Sequence, residues 1–432
     1  MIDIKKNKSF CVYAWTHMMV TASGKPVRGE YWPCCNWTPH ADKILKDKKF
    51  DVKNKTIKEF WQSKEMNHIR ERMLEGRPIP GCTACYQEEQ SGTASLRQQE
   101  NEGWVRMKEG KTFWDTVDRW EKNKICDSPI SLDINFSSLC NLKCRMCFSG
   151  LSSELAKEQW SIIQKEGWEV NHELMRFQTD DLEIIDHGDN TELMKQLYDL
   201  LKVNRRIYLK GGEPTLLRTM YNFLDYPVNN NYAQNIQIKF NTNMTNVQKQ
   251  FVKLMDKFRK VDLTMSIDGI DAVQEYIRAP SKWSSISKNI NYFIENNDKA
   301  DLMVSPCWQI YNVFNIYEHL KYFDKLCEKR NIEVTPILLD FPMHYRIDVL
   351  PYEVRQQAVD KIKQCFKLKI AKQPTLYKKL HTLLKILMNK DSHKDSKKHM
   401  KQFFEITALY DKYRSQSIEK SLPELYSHVT KY

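Results

Sequence analysis

Apolar and polar residues alternate along this chain in two rhythms. From about residue 130, short β-prone runs occur at 130–136, 206–210, 236–241, 261–267, 302–310 and 332–339, with helix-length segments between them. That alternation predicts βαβ units and a parallel sheet. Six repeats make an α/β fold of the partial (β/α)6 TIM-like barrel kind, an open sheet two units short of a full barrel. The interval from 150 to 205 exceeds one helix, so inserted helices are expected around 153–167 and 191–202. Before residue 130 the clearest periodicity is one helix from about 56 to 74. Ile57, Trp61, Ile69 and Met73 share a face, and Gly76 stands where a C′ residue should. Pro78, Pro80 and Gly81 then interrupt the chain ahead of Cys82. Residues 101–128, with Trp104, Trp114 and Trp120, read as a helical connector. After Pro351 the pattern is helical: Leu376, Leu380, Leu383, Leu384 and Leu387 repeat at helical spacing. A polar run at 389–401 then precedes a helix at 403–413. The expected organisation is a cysteine-rich module at 1–100, a connector at 101–128, the α/β barrel at 129–350 and a helical cap at 351–432.

Length, at about 150 residues per domain, allows two or three domains. An apolar fraction of 41% with 11% aromatics excludes a largely disordered chain. No run approaches the roughly 18 apolar residues that span a bilayer, and the first ten residues lack the apolar stretch of a signal peptide. No membrane partner and a cytosolic location are therefore expected. The 67 Lys+Arg exceed the 55 Asp+Glu by 12. The lysines are scattered, which suits a solvated surface and permits an acidic or phosphate-bearing partner without favouring nucleic acid.

Twelve cysteines change the picture. In a reducing compartment clustered cysteines read as metal ligands or redox groups before disulfides. Cys140, Cys144 and Cys147 form Cys-x3-Cys-x2-Cys directly after the first strand run. Thiolates at such spacing suit iron–sulfur clusters or zinc. Three ligands leave an iron–sulfur cube one short, so one iron keeps an open position. A structural zinc would need a fourth ligand, but the nearest further cysteine is Cys126 and no histidine lies close. The motif resembles the signature of the radical S-adenosylmethionine (SAM) enzymes. The resemblance implies that Cys140, Cys144 and Cys147 hold a catalytic [4Fe-4S] cluster and that Met146 lies against the adenine of SAM.

Other motifs follow in that family's order. Gly211, Gly212, Glu213 and Pro214 end the second strand run and match its GGEP motif, which receives the methionine amino group. Paired glycines let the backbone approach a ligand closely, and a carboxylate complements an ammonium. Thr242 and Asn243 end the third run, where the family often has Thr-Asn near the ribose. Ser266 and Asp268 end the fourth, with Arg278 after them, similar to members in which Ser and Arg hold the methionine carboxylate; Arg suits bidentate contact. Each of these also has a plain structural reading as a turn, a strand end or an ion pair. Polar residues at strand C-termini face the site in such barrels, so Gln309 and Asn312 are candidates for adenosine or substrate contact. Cys307 is either interior-facing or an inert buried thiol. His344, Tyr345 and Arg346, after the sixth run, either meet substrate or simply pack. Cys126, Cys327 and Cys365 read as structural.

The remaining cysteines fall near the N-terminus. Cys11, a Gly-x4-Cys at Gly29–Cys34, a Trp-bearing helix and Cys82-x2-Cys85 resemble the twitch/SPASM auxiliary-cluster module. The resemblance implies a second [4Fe-4S] cluster on Cys11, Cys34, Cys82 and Cys85, with Cys35 able to replace Cys34. The same spacing also describes a structural zinc site. The resemblance as a whole implies a radical SAM enzyme of oxidoreductase or transferase type. SAM would be cleaved reductively to a 5′-deoxyadenosyl radical that takes hydrogen from a substrate. The electron would come from a reductant such as flavodoxin or ferredoxin, and the auxiliary cluster would accept an electron or bind substrate. Expected outcomes are oxidation or crosslinking of a peptide or protein side chain, a sugar or a nucleotide. The rival reading is a non-catalytic iron–sulfur electron carrier or a zinc-stapled interaction protein, which needs no Glu213. A methyltransferase would require extra modules, and the C-terminal 80 residues are too short and helical for them.

Overall fold

The computed structural model describes residues 7–22, 29–38, 41, 45, 50–90, 92, 94–106, 110–170, 172–175, 177–391 and 394–431. The chain packs as two compact units. The first comprises residues 1–138, 185–239 and 257–259; the second comprises 139–184, 240–256 and 260–432.

In the first unit strands run in the order β2 (Tyr31–Trp32), β1 (His17–Val20), β3 (Ser131–Asn135) and β4 (Arg206–Lys210). β1 pairs antiparallel with β2 and parallel with β3, and β3 pairs parallel with β4. The alternation in Ser-Leu-Asp-Ile-Asn and Arg-Ile-Tyr-Leu-Lys puts Leu132, Ile134, Ile207 and Leu209 on one fully buried face. Helices Thr191–Leu200 and Arg218–Asn229 pack nearby, with Phe136 edge-on to Phe223 at 5.1 Å. The other face carries Ser131, Asp133 and Asn135 beside Arg206, Tyr208 and Lys210. β5 (Gln237–Thr242) begins in this unit and ends in the second.

The second unit continues with β6 (Lys260–Met265), β7 (Asp301–Val304) and β9 (Ile332–Val334), paired in parallel. A separate two-stranded parallel sheet joins β8 (Cys307–Trp308) to β10 (Ile337–Leu338). Helices Tyr352–Cys365, Pro374–Met388 and Ser396–Arg414 follow, and Leu376, Leu380, Leu383 and Leu387 are all fully buried. No helix among the described residues is long and apolar enough to cross a membrane.

The α/β class, the parallel pairing and the helical C-terminal region are as expected, and each of the six runs contains a strand of the main sheet. Four details differ. The single helix at 56–74 is two, Ile57–Trp61 and Lys64–Leu74, because Ser63 caps the second by accepting from the Met66 amide. The run at 302–310 leaves the main sheet after Val304, and that at 332–339 leaves it after Val334. β1 was not foreseen. The last long helix starts at Ser396, inside the expected polar run.

Candidate functional site

The loop bearing the cysteine triplet lies between β3 and helix Ser153–Glu166. Cys140 and Cys144 are buried around Leu142, with Met146 and Cys147 packed against them, so the three thiols share one apolar nest. Backbone bonds hold the loop in place. Lys143 N donates to Ala279 O at 2.7 Å, Arg145 N to Ile277 O at 2.9 Å and Cys147 N to Cys144 O at 3.0 Å. Ser153 Oγ both accepts from Cys140 N and donates to Cys140 O, each at 3.2 Å. Asn243 belongs to this network: its Nδ2 donates to Asn141 Oδ1 at 3.0 Å, while Thr242 Oγ1 accepts from Met244 N at 3.1 Å.

Arg145, between two of the cluster-loop residues, was not singled out from the sequence. Its side chain is fully buried. Its Nε donates to Tyr276 O at 3.0 Å, its guanidinium lies 3.7 Å from the Tyr276 ring centroid, and it pairs with Asp411 at 2.6 Å. Residues 266 positions apart thus tie the loop to the C-terminal helix, a partnership with no local sequence signal.

Five expected residues converge beside Cys144. Arg278 Nε donates to Asp268 Oδ2 at 2.7 Å, and its Nη1 lies 3.7 Å from Cys144 Sγ. Asp268 Oδ1 accepts from Cys307 N at 2.8 Å. Asn312 Nδ2 donates to Asp268 O and to Cys307 O, both at 2.9 Å, and Asn312 Oδ1 accepts from Gln309 N at 2.9 Å. Gln309 is fully buried with an unpartnered Oε1. Burial pushes the Cys144 thiol up, and the adjacent Arg278 cation pulls it down. Ser266 is half-buried, its amide donating to Thr242 O at 2.8 Å. His344 and Tyr345 are buried, Tyr345 against Tyr311, while Arg346 pairs with Asp340 and Asp348. Burial also pushes the Cys307 thiol upward, as an inert thiol requires.

In the first unit Gly211 has φ +114°, and a Cβ there would lie 3.0 Å from Ser137 O and 3.2 Å from Asn135 Cβ. Only glycine fits this turn against β3. Gly212 N donates to Ser137 O at 3.1 Å. Glu213 is 1% exposed and its Oε1 accepts from Thr215 N and Oγ1, at 3.2 and 2.7 Å; the carboxylate is therefore fixed before any ligand arrives. Pro214 opens the following 3-10 turn.

The N-terminal thiols also gather. Cys82 and Cys85 sit one turn apart where the 3-10 turn Pro80–Cys82 runs into helix Thr83–Gln90. Cys34 feels Cys35, Cys82 and Cys11 electrostatically, and Cys11 feels Cys85. Burial, reinforced by Cys85, pushes Cys11 up to about 12. The segment around Cys11 is pinned by Asn101, which accepts from Val12 N and donates to Phe10 O, both at 2.9 Å. Asn36 Nδ2 lies 3.9 Å from Cys85 Sγ. Among the described residues no three His, Cys, Asp or Glu side chains are near enough to grip one ion.

Residues 11–86 match a known family pattern that starts on Cys11 and ends one residue past Cys85. The family is SPASM, an iron–sulfur cluster-binding domain. No curated protein matches. Solved structures show partial likeness. One is Streptococcus suis SuiB bound to S-adenosylmethionine, at 15% identity over 66% of this chain and 57% of that one, TM-score 0.38. Another is anSMEcpe with bound AdoMet, at 17% over 55% and 57%, TM-score 0.38. A third is the radical S-adenosylmethionine methyltransferase TsrM from Kitasatospora setae, at 10% over 52% and 38%, TM-score 0.33. The chain spans 57% of the length of the first two, and TM-scores below 0.5 do not define its fold.

Within the SPASM-like segment Cys35 and Cys34 feel different charged neighbours. The strongest charges on Cys35 are Lys210 and Asp133, not the other thiols. The SPASM-like segment also depends on Gly81, whose missing side chain admits the Trp37 ring.

The Arg278–Cys144 contact has an electrochemical consequence. A cation and N–H donor beside a ligand sulfur stabilise the more negative, reduced cluster. If Cys140, Cys144 and Cys147 hold a cluster, as the sequence resemblance implies, Arg278→Gln is expected to make its potential more negative, as read by redox titration followed by electron paramagnetic resonance (EPR). An unchanged potential would show that the contact does not reach the cluster.

Proposed function

We propose that the chain is a radical SAM enzyme with an N-terminal auxiliary iron–sulfur module. The observation that carries the reading is the Cys140–Cys147 loop: three thiols in one buried nest, one beside a fixed guanidinium, with a GGEP turn elsewhere in the chain. The donor set fits a [4Fe-4S] cluster on Cys140, Cys144 and Cys147. A second cluster fits Cys11, Cys34, Cys82 and Cys85. Cys34, which feels Cys82 and Cys11 electrostatically, is assigned as the ligand ahead of Cys35.

When bound, the reduced cluster would supply the electron that cleaves SAM to methionine and a hydrogen-abstracting 5′-deoxyadenosyl radical. The protein's share is binding and orientation. Glu213, held by Thr215, accepts the methionine ammonium, and the backbone of Gly211 and Gly212 permits close approach. Met146, Thr242, Asn243, Ser266, Gln309 and Asn312 are assigned to the nucleoside and carboxylate. Asp268 orients Arg278 and thereby acts as a positioning residue. The segments 1–100, 101–128, 129–350 and 351–432 are proposed as module, connector, catalytic barrel and cap. The reaction proposed is oxidation or crosslinking of a peptide or protein side chain, a sugar or a nucleotide, with electrons from a flavodoxin- or ferredoxin-type donor.

The test is spectroscopic. SAM should perturb the EPR signal of the reduced Cys140–Cys147 cluster. Glu213→Gln should weaken that binding roughly ten- to hundredfold, since a hydrogen bond to a charged group contributes about 1.5–3 kcal/mol. An EPR signal indifferent to SAM would favour the electron-carrier reading.

A further inference from the structure

The polar face of the first unit's sheet contains buried acceptors that no group among the described residues satisfies. Asp133, in the middle of β3, is fully buried. Its Oδ2 meets Lys210 Nζ at 2.8 Å, but its Oδ1 has no hydrogen-bond partner among the described residues. Asn135, two residues on and on the same face, is 3% exposed, and its Oδ1 is equally unpartnered. Neighbouring groups on this face are satisfied: Ser131 Oγ meets His17 Nδ1 at 2.9 Å, and Arg206 pairs with Glu100 at 2.7 Å. Among the described residues the unpartnered acceptors of this face are on Asp133 and Asn135, while His17 Nε2 beside Ser131 is a further unpartnered nitrogen. An unsatisfied buried acceptor costs about 1–3 kcal/mol, and more when charged. Two such acceptors side by side call for an explanation, and a ligand that supplies the donors is one.

The chemistry of that ligand follows. Both orphan atoms are acceptors, one on a carboxylate, so the complement is a cationic N–H donor. Lys210 meets only one oxygen of the carboxylate, leaving the lone pairs of the other for a second cation. The side chain of Lys210 is 21% exposed, and Tyr208 and Cys35 are half-buried, so this edge of the face is open to a ligand. Lys210 Nζ lies 5.2 Å from the Tyr208 ring centroid. Gly211, whose turn abuts Asn135, places the same face beside the GGEP segment.

We propose that Asp133 and Asn135 form a seat for a protonated amine, the amine of the substrate. Its identity as the substrate's amine rests on the radical SAM reading; the seat itself does not. Asp133 Oδ1 and Asn135 Oδ1 accept two of the ammonium N–H bonds, and Lys210 holds the carboxylate in place. This selects amine-bearing substrates, such as a lysine side chain or a free amino terminus, over neutral ones.

Isothermal titration calorimetry on the cluster-reconstituted full chain tests this with Nα-acetyl-lysine methylamide and its neutral counterpart Nα-acetyl-norleucine methylamide. The lysine amide is expected to bind at least tenfold more tightly. Asp133→Asn should remove that preference. Asn135→Leu, which leaves the Asp133–Lys210 pair intact and so spares the fold, should weaken it severalfold. Equal binding of the two amides, binding of neither, or an unchanged preference in both variants would overturn the proposal. SAM cleavage by the unmodified chain is measured alongside. Cleavage without amine preference sinks the seat alone, and amine preference without cleavage sinks the radical reading alone.

Discussion

Asp411→Ala will lower global stability by about 3–5 kcal/mol and cost the Cys140–Cys147 loop its iron. Removing one partner of a buried ion pair leaves an uncompensated buried charge, and that range is its usual cost. Here the orphan would be Arg145, whose side chain is 0% exposed. Its remaining partners would be Tyr276 O, Gln416 Oε1 at 3.0 Å and the faces of Tyr276 and Tyr311. The Asp411 carboxylate also accepts from Tyr276 Oη at 2.8 Å and Ile418 N at 2.7 Å, so three attachments are lost together. Arg145 stands directly after Cys144, and any displacement moves a proposed cluster ligand. Urea unfolding and iron analysis read the two effects. A midpoint and iron content matching the unmodified chain would show that the loop is held by its backbone bonds alone. Asp411→Asn, which keeps an acceptor, should fall between the two.

The second large effect belongs to the SPASM-like segment. Gly81→Ala is expected to reduce iron from about eight per chain to about four, two cubanes becoming one. A Cβ on Gly81 would lie 2.5–2.6 Å from three atoms of the Trp37 ring. That ring is 4% exposed and cannot swing aside freely. Thr38 N also donates to Gly81 O at 2.9 Å, so the Cys34 loop and the Cys82–Cys85 turn are joined at this point. Overpacking of this kind costs about 1–3 kcal/mol, and its location spreads the thiols apart. Gly103→Ala is the control, since a Cβ there meets nothing within 4 Å. It should leave both clusters intact. Eight irons retained in Gly81→Ala would show that the Trp37 contact does not set the thiol spacing.

What could be read from the chain divides by range. The Cys140–Cys147 spacing, the Gly211–Pro214 turn and the Cys82–Cys85 pair are local, and a few consecutive residues specify them. The parallel strands were legible because alternation is local too. β1 was not: His-Met-Met-Val has no alternation, all four residues are buried, and the strand exists through pairing with Ser131–Ile134 more than a hundred residues away. The division of the helix at Ser63 had a signal in its capping serine, which the continuous apolar stripe masked. Arg145 with Asp411, and Gly81 with Trp37, are tertiary pairings no local pattern announces. Asp133 lay within an expected strand, but only its burial and its unmet oxygen distinguish it from a surface carboxylate.

The central claim is that this chain cleaves SAM reductively, and quantifying 5′-deoxyadenosine tests it most directly. With clusters reconstituted anaerobically and dithionite as reductant, the chain should form 5′-deoxyadenosine above a Cys144→Ala control. No product above that control, from protein carrying its full iron and an EPR signal that SAM leaves unchanged, would contradict the account.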